Sequence, residues 1–200
     1  MNTYSSLCAT PSDINEHLPT LSEYASRCES VFETGVRGCV SSWAFVDGLL
    51  KNGSDTKKLF MNDIEVCDIS NLLEYTKELP IDVTYEWKNN LQLDFTEKYD
   101  MTFIDTWHVY GQLKRELQKF APLTNKYIAM HDTTVDAEHG ECIRCNLDIS
   151  SMAKVSGFDI SEITKGLRPA VEEFLKENDE WEIDKVFTNN NGLTILKRRE

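Results

Sequence analysis

Two short stretches carry residue types that can do chemistry together. Residues 103–113, FIDTWHVYGQL, set Asp105 three positions before His108. The apolar run before Asp105 reads as a strand and the run after His108 as a helix, so both side chains project into one crevice. Residues 130–134, MHDTT, put His131 and Asp132 at the end of the next apolar run. Carboxylates from two neighbouring strand ends make a hard-oxygen site for a divalent cation such as Mg2+ or Mn2+, with His131 as a further ligand. A histidine beside such a site can take a proton from a hydroxyl, and His108 is placed for it. Asp105 also suits an ordinary helix N-cap, and His108 a helix-capping histidine.

A third stretch, residues 31–45, VFETGVRGCVSSWAF, reads as strand, glycine turn and helix. Glycine permits positive φ and lets a ligand lie against the backbone, and the amides opening the next helix point at whatever sits there. The candidates for ligand contact are Glu33, Gly35, Gly38, Ser41, Ser42 and Trp43. A carboxylate at the entrance suits a ligand that carries a cation better than a bare phosphate. Neither a Walker lysine nor a third glycine to complete a dinucleotide fingerprint is present. Asp63, ending the second strand, is placed to bond ribose hydroxyls, and Asn89 and Asn90, just past the third, to lie beside a base.

The elements that must position these residues follow from periodicity. Strands are expected at residues 31–33, 58–64, 82–87, 99–104 and 126–130. Helices are expected from Thr20, where Thr20 and Glu23 fit a capping box, and at residues 43–50, 69–79, 109–120 and 167–176. That alternation implies parallel crossover units in a doubly wound α/β sheet. Residues 181–188 and 193–197 read as two further strands joined by Asn-Asn-Asn-Gly, an antiparallel hairpin closing a mostly parallel seven-stranded sheet. Residues 1–15 read as a loose arm, with His17 after it either folding over the ligand or lying on the surface. Residues 131–166 show no clear periodicity and suggest an acceptor-binding or lid segment in which Asp136, Glu138 and His139 contact an acceptor. Trp107 and Tyr110 read as packing residues, with either able to wall a ligand.

Two hundred residues suffice for one domain with its own core. A net charge of −13 argues against a phosphate-backbone partner and favours small molecules. No run approaches the length of a membrane span, the first residues lack a signal-peptide pattern, and the six cysteines fit reduced thiols, so the expected location is cytoplasmic. Cys142 and Cys145 have CxxC spacing but no second pair to complete a zinc site.

The E-x-G-x-x-G turn after a first strand, the strand-end acids and the terminal hairpin together resemble the class I S-adenosylmethionine-dependent methyltransferases. Within them the chain is similar to the metal-dependent O-methyltransferases, which include catechol and macrolide-sugar enzymes. The resemblance implies S-adenosylmethionine as donor, Mg2+ or Mn2+ on Asp105 and Asp132, and His108 where the catechol enzyme has a lysine base. It also implies a sugar hydroxyl, such as one of rhamnose in a glycan, as acceptor. His131 stands where those enzymes more commonly have an Asp. Two other readings stay open: a nucleotide-cofactor oxidoreductase on a related sheet, and a binding protein that keeps the fold without catalysis. Both a monomer and a homodimer are compatible with the sequence.

Overall fold

The computed structural model describes residues 3–199; the first two positions of the expected N-terminal arm and the last residue of the chain lie outside that description. Seven strands form one sheet: β1 (Ser30–Thr34), β2 (Lys58–Asp63), β3 (Asp82–Trp87), β4 (Tyr99–Ile104), β5 (Thr124–His131), β6 (Trp181–Phe187) and β7 (Leu193–Arg198). Their order is β3-β2-β1-β4-β5-β7-β6. The first five pair in parallel, and β7 enters antiparallel between β5 and β6. The doubly wound, mostly parallel sheet with its closing antiparallel hairpin is thus as the sequence implied. The chain order reverses between β1 and β4, the crevice in which open sheets of this kind bind ligands.

Nine α-helices flank the sheet among the described residues: α1 (Thr3–Ala9), α2 (Leu18–Ala25), α3 (Val40–Lys51), α4 (Ser70–Thr76), α5 (Tyr110–Phe120), α6 (Glu141–Arg144), α7 (Ile149–Ser156), α8 (Ile160–Thr164) and α9 (Arg168–Glu177). The central strands are buried on both faces, and successive residues serve opposite layers. Phe103, Ala129 and Ile195 pack with α2 and α3, whereas Ile104, Ile128, Met130 and Leu196 pack with α5 and α9. This is the near-continuous apolar reading of strands covered on both sides.

Three local expectations are corrected. Helix α2 begins at Leu18, with Pro19 in its first turn, and the Thr20/Glu23 box is not used. Proline preset for the first turn moves the start upstream, and the capping box that does form joins Asp159 and Glu162 at α8. The arm is ordered rather than loose: Tyr4, Leu7 and Cys8 pack against the core, and Ile14 and His17 are buried. Residues 131–166 fold into α6, α7 and α8 over a small core of Val109, Cys142 and Ile163, with Trp107, Met152 and Phe158 against it. Helices this short give no readable period, and tertiary packing holds them.

Candidate active site at the carboxyl ends of the strands

The glycine turn is built around one close approach. At Gly35 φ is +91°, and a Cβ there would lie 1.8 Å from the Asp105 carbonyl oxygen. The turn after β1 therefore runs directly against the end of β4, and only glycine permits it. Gly38 differs from its expected role, since a Cβ there would meet nothing within 4 Å. Positive φ falls instead on its neighbours Arg37 and Cys39. Asp63 ties the turn down, accepting from the amides of Val36 at 2.7 Å, Arg37 at 2.9 Å and Glu65 at 2.9 Å. A carboxylate offers about four lone-pair directions, so one remains for a ligand hydroxyl.

A cavity of about 310 Å³ opens above this turn. Gly35, Gly38, Ser41, Asp63, Asn89, Asn90, Asp105, His108 and Asp132 all line it. Four expected contacts do not. Glu33 is fully buried beneath the floor, where its carboxylate accepts from the hydroxyls of Ser41 and Ser42. Burial pushes its pKa up to about 8, against the pull of those two donors. Glu33 thus reaches the cavity only through Ser41, and it pins the first turn of α3 to β1. That bond also explains why the helix starts at Val40 rather than Trp43: hydroxyls engaged by Glu33 no longer compete with the helix backbone. Ser42 is wholly buried, and Trp43 faces a separate cavity beside Tyr75. His131 lies just behind the wall.

Asn89 and Asn90 are also committed locally. The Asn89 side chain accepts from the Leu91 amide at 3.0 Å. Asn90 donates to Thr34 Oγ1 and Glu116 Oε1, and its own carbonyl accepts from Gln112. The Asn90 amide is thus engaged within the wall, whereas only the side-chain carbonyl of Asn89 is, and both residues stay at the cavity lining.

At the other end of the cavity the histidines and acids converge. Ligand atoms of Asp105, His131 and Asp132 all lie within 4.8 Å of one another. His108 Nε2 is 3.1 Å from both Asp105 and Asp132, and its Nδ1 is 3.3 Å from Asp136 and 3.8 Å from Glu141. Burial opposes charge on the ring, but Asp105 and Asp136 outweigh it and hold the His108 pKa well above the ordinary histidine value. Despite the same burial cost, bonds from His108 and His131 hold the Asp105 carboxyl well below the usual carboxylate range. Asp132 sits at φ +56°, an uncommon conformation for a residue other than glycine and one that clusters at functional sites.

The turn of the terminal hairpin completes the site, which the sequence did not reveal. The Asn190 carbonyl lies 3.2 Å from His131 Nε2, and Thr134 and Val135 donate to the Asn191 carbonyl. His17 neither folds over the cavity nor lies on the surface: it is buried edge-on against His131, with Nε2 on the Asn189 and Asn190 carbonyls. Asp136 touches His108 and is gripped through two bonds by Arg144. Glu138 instead pairs with Arg168, and His139 bridges Lys165, so neither faces the cavity. Trp107 lines the cavity and stacks on Phe158, and Tyr110 packs between α5 and α9. Asp13, Arg37, Glu65, Gln112 and Glu141 also line the cavity. Gln112 lies in the first turn of α5 and the others in turns or the four-residue α6, where only charge or polarity could have marked them.

No family model and no curated protein matches the chain. Solved structures do. The N-methyltransferase NodS from Bradyrhizobium japonicum WM9 is similar with a TM-score of 0.62 at 13% identity, over 92% of this chain and 94% of that one. The O-methyltransferase TomG from Streptomyces achromogenes, solved with S-adenosylmethionine, gives 0.59 at 13% identity over 100% and 91%. A Burkholderia thailandensis 1,6-didemethyltoxoflavin-N1-methyltransferase, bound to S-adenosylhomocysteine, gives 0.57 at 11% identity over 96% and 80%. Strand order, crossover crevice and these neighbours agree: the chain has the fold of the class I S-adenosylmethionine-dependent methyltransferases.

Proposed function

We propose that the protein is an S-adenosylmethionine-dependent O-methyltransferase that uses a divalent cation, Mg2+ or Mn2+, and methylates a hydroxyl of a sugar or similar polyol in the cytoplasm. The observation that carries this reading is the meeting of Asp105, Asp132 and His131 at one end of a cavity whose other end is the glycine turn and Asp63. Six of the cavity's side chains are acids, Asp13, Asp63, Glu65, Asp105, Asp132 and Glu141, against Arg37 and His108. Such a wall favours a sulfonium and ammonium donor and opposes a dinucleotide pyrophosphate.

The residues fit a cation on two grounds. His131 Nε2 faces a carbonyl and must carry the proton there, so a neutral ring turns its Nδ1 lone pair toward Asp105 at 3.4 Å and Asp132 at 3.3 Å. Three acceptors facing one another require a proton or a metal among them. With a proton there, Asp105 and Asp132 push the His131 pKa up to about 10 in spite of burial. Asp132 Oδ1 is buried without a hydrogen-bond partner among the described residues. Asp105, Asp132 and His131 would hold the cation, which when bound supplies Lewis acidity to an acceptor hydroxyl; the donor supplies an electrophilic methyl group.

The chain's own part is then positional. Asp63, held by the turn amides, orients the donor's ribose, and Trp107 walls it. His108 accepts the hydroxyl proton at Nε2, which requires a neutral ring. Four surrounding carboxylates favour the imidazolium, and a cation held by Asp105 and Asp132 would weaken that hold and leave the ring free to act as the base. Asp105→Ala should abolish methyl transfer to polyol acceptors and its stimulation by Mg2+; full activity of the unaltered enzyme in excess chelator would refute the metal's role. A glycan or small-molecule acceptor, no nucleic-acid or membrane partner, and a monomer or homodimer complete the proposal. None of the described helices is long and apolar enough to cross a membrane.

A further inference from the structure

Behind the wall formed by Thr34, Asn90, Thr106 and Gln112 lies a carboxylate that the proposed chemistry does not use. Glu116 on α5 is fully buried. Its Oε1 accepts from three side chains on different elements: Asn90 Nδ2 at 2.5 Å, Thr106 Oγ1 at 2.6 Å and Gln112 Nε2 at 2.8 Å. An oxygen accepting in this way fixes which end of each amide points inward, because a flipped amide would set oxygen against oxygen. Asn90 must present its NH2 to Glu116, and its carbonyl then takes the second Gln112 N–H, at 3.1 Å. Both Gln112 N–H groups are therefore used within the wall. Gln112 lines the cavity, and its Oε1 has no partner among the described residues. What Gln112 offers a ligand is an acceptor in a fixed orientation.

We infer that Gln112 Oε1 reads the exocyclic amino group of the donor's purine base, and that buried Glu116 is the positioning residue that sets its direction. The inference rests on the donor reading given above and adds what distinguishes a 6-aminopurine from other bases in this cavity. It also accounts for a buried carboxylate in α5 whose three donors all come from the ligand-facing wall.

Calorimetry with S-adenosylhomocysteine and its analogue carrying hydrogen in place of the 6-amino group tests this directly. The unaltered protein should bind the analogue about tenfold more weakly, the range of one hydrogen bond. In Gln112→Ala the two ligands should bind within about twofold of each other, the loss falling on S-adenosylhomocysteine alone. Glu116→Gln, which retains the accepting oxygen, should keep the preference, and Glu116→Met should lose it. If Gln112→Ala weakens both ligands equally, or neither, the recognition role is overturned while the donor reading stands. Full preference in Glu116→Met would overturn the positioning role. Failure of the unaltered protein to bind S-adenosylhomocysteine would instead bring down the donor reading, and this inference with it.

Discussion

Glu33 shows how burial redirects a residue whose type suggested ligand contact. Its pKa of about 8 lies above the ordinary 4.5, so the folded state binds its proton more tightly than the unfolded chain does. The stability it contributes is complete below about pH 4.5 and is lost as pH rises through about 8. Glu33→Gln should therefore flatten the fall in melting temperature across that interval in metal-free protein. An unchanged slope would show that Glu33 titrates normally. The histidines make a second prediction. If Asp105, Asp132 and His131 take up a cation, His131 must give up its Nδ1 proton and the carboxylates' hold on the His108 proton weakens. Mn2+ titrations in buffers of different ionisation enthalpy should thus show proton release near neutral pH, and heats independent of the buffer would argue against it.

Among the elements, the turn between β1 and α3 decides where Asp105, at the end of β4, sits. Gly35→Ala would drive a methyl into the Asp105 carbonyl at a φ that alanine disfavours. The expected cost exceeds about 4 kcal/mol, in the far tail of single substitutions, and circular dichroism should find the variant largely unfolded. Gly38→Ala has open space and should shift stability by no more than about 1 kcal/mol. Because Gly38 lines the cavity, the same variant should lose affinity for S-adenosylhomocysteine. Equal destabilisation of the two variants would contradict the geometry.

For the whole molecule, one ion pair within the 131–166 segment braces the wall behind His108. Arg144, on α6, grips the buried Asp136 beside His108 at 2.7 and 2.9 Å. Arg144→Met leaves that carboxylate short of a donor, and because the arginine is itself partly exposed the cost should be moderate, about 1–3 kcal/mol. Hydrogen exchange should accelerate across α6 to α8 while β1 and β4 stay protected; uniform acceleration would mean that the segment is no separate unit. The terminal hairpin and the N-terminal arm brace the opposite side, where Asn189 and Asn190 hold both His17 and His131.

What the sequence determined by itself was the layered α/β order and the positions of Asp105, His108, Asp132 and Asp63, because strand and helix periods repeat over enough residues to be read and place those side chains at strand ends. What only the tertiary structure decided was which of them face the ligand. Glu33, Ser42 and Trp43 follow the glycine turn closely in sequence, yet depth beneath Ser41 and the direction of α3 remove them from the cavity wall. Gln112 and Glu116 (both through Asn90), Asp136 and the Asn190 carbonyl join the site through contacts between residues far apart in the chain, which no local spacing encodes.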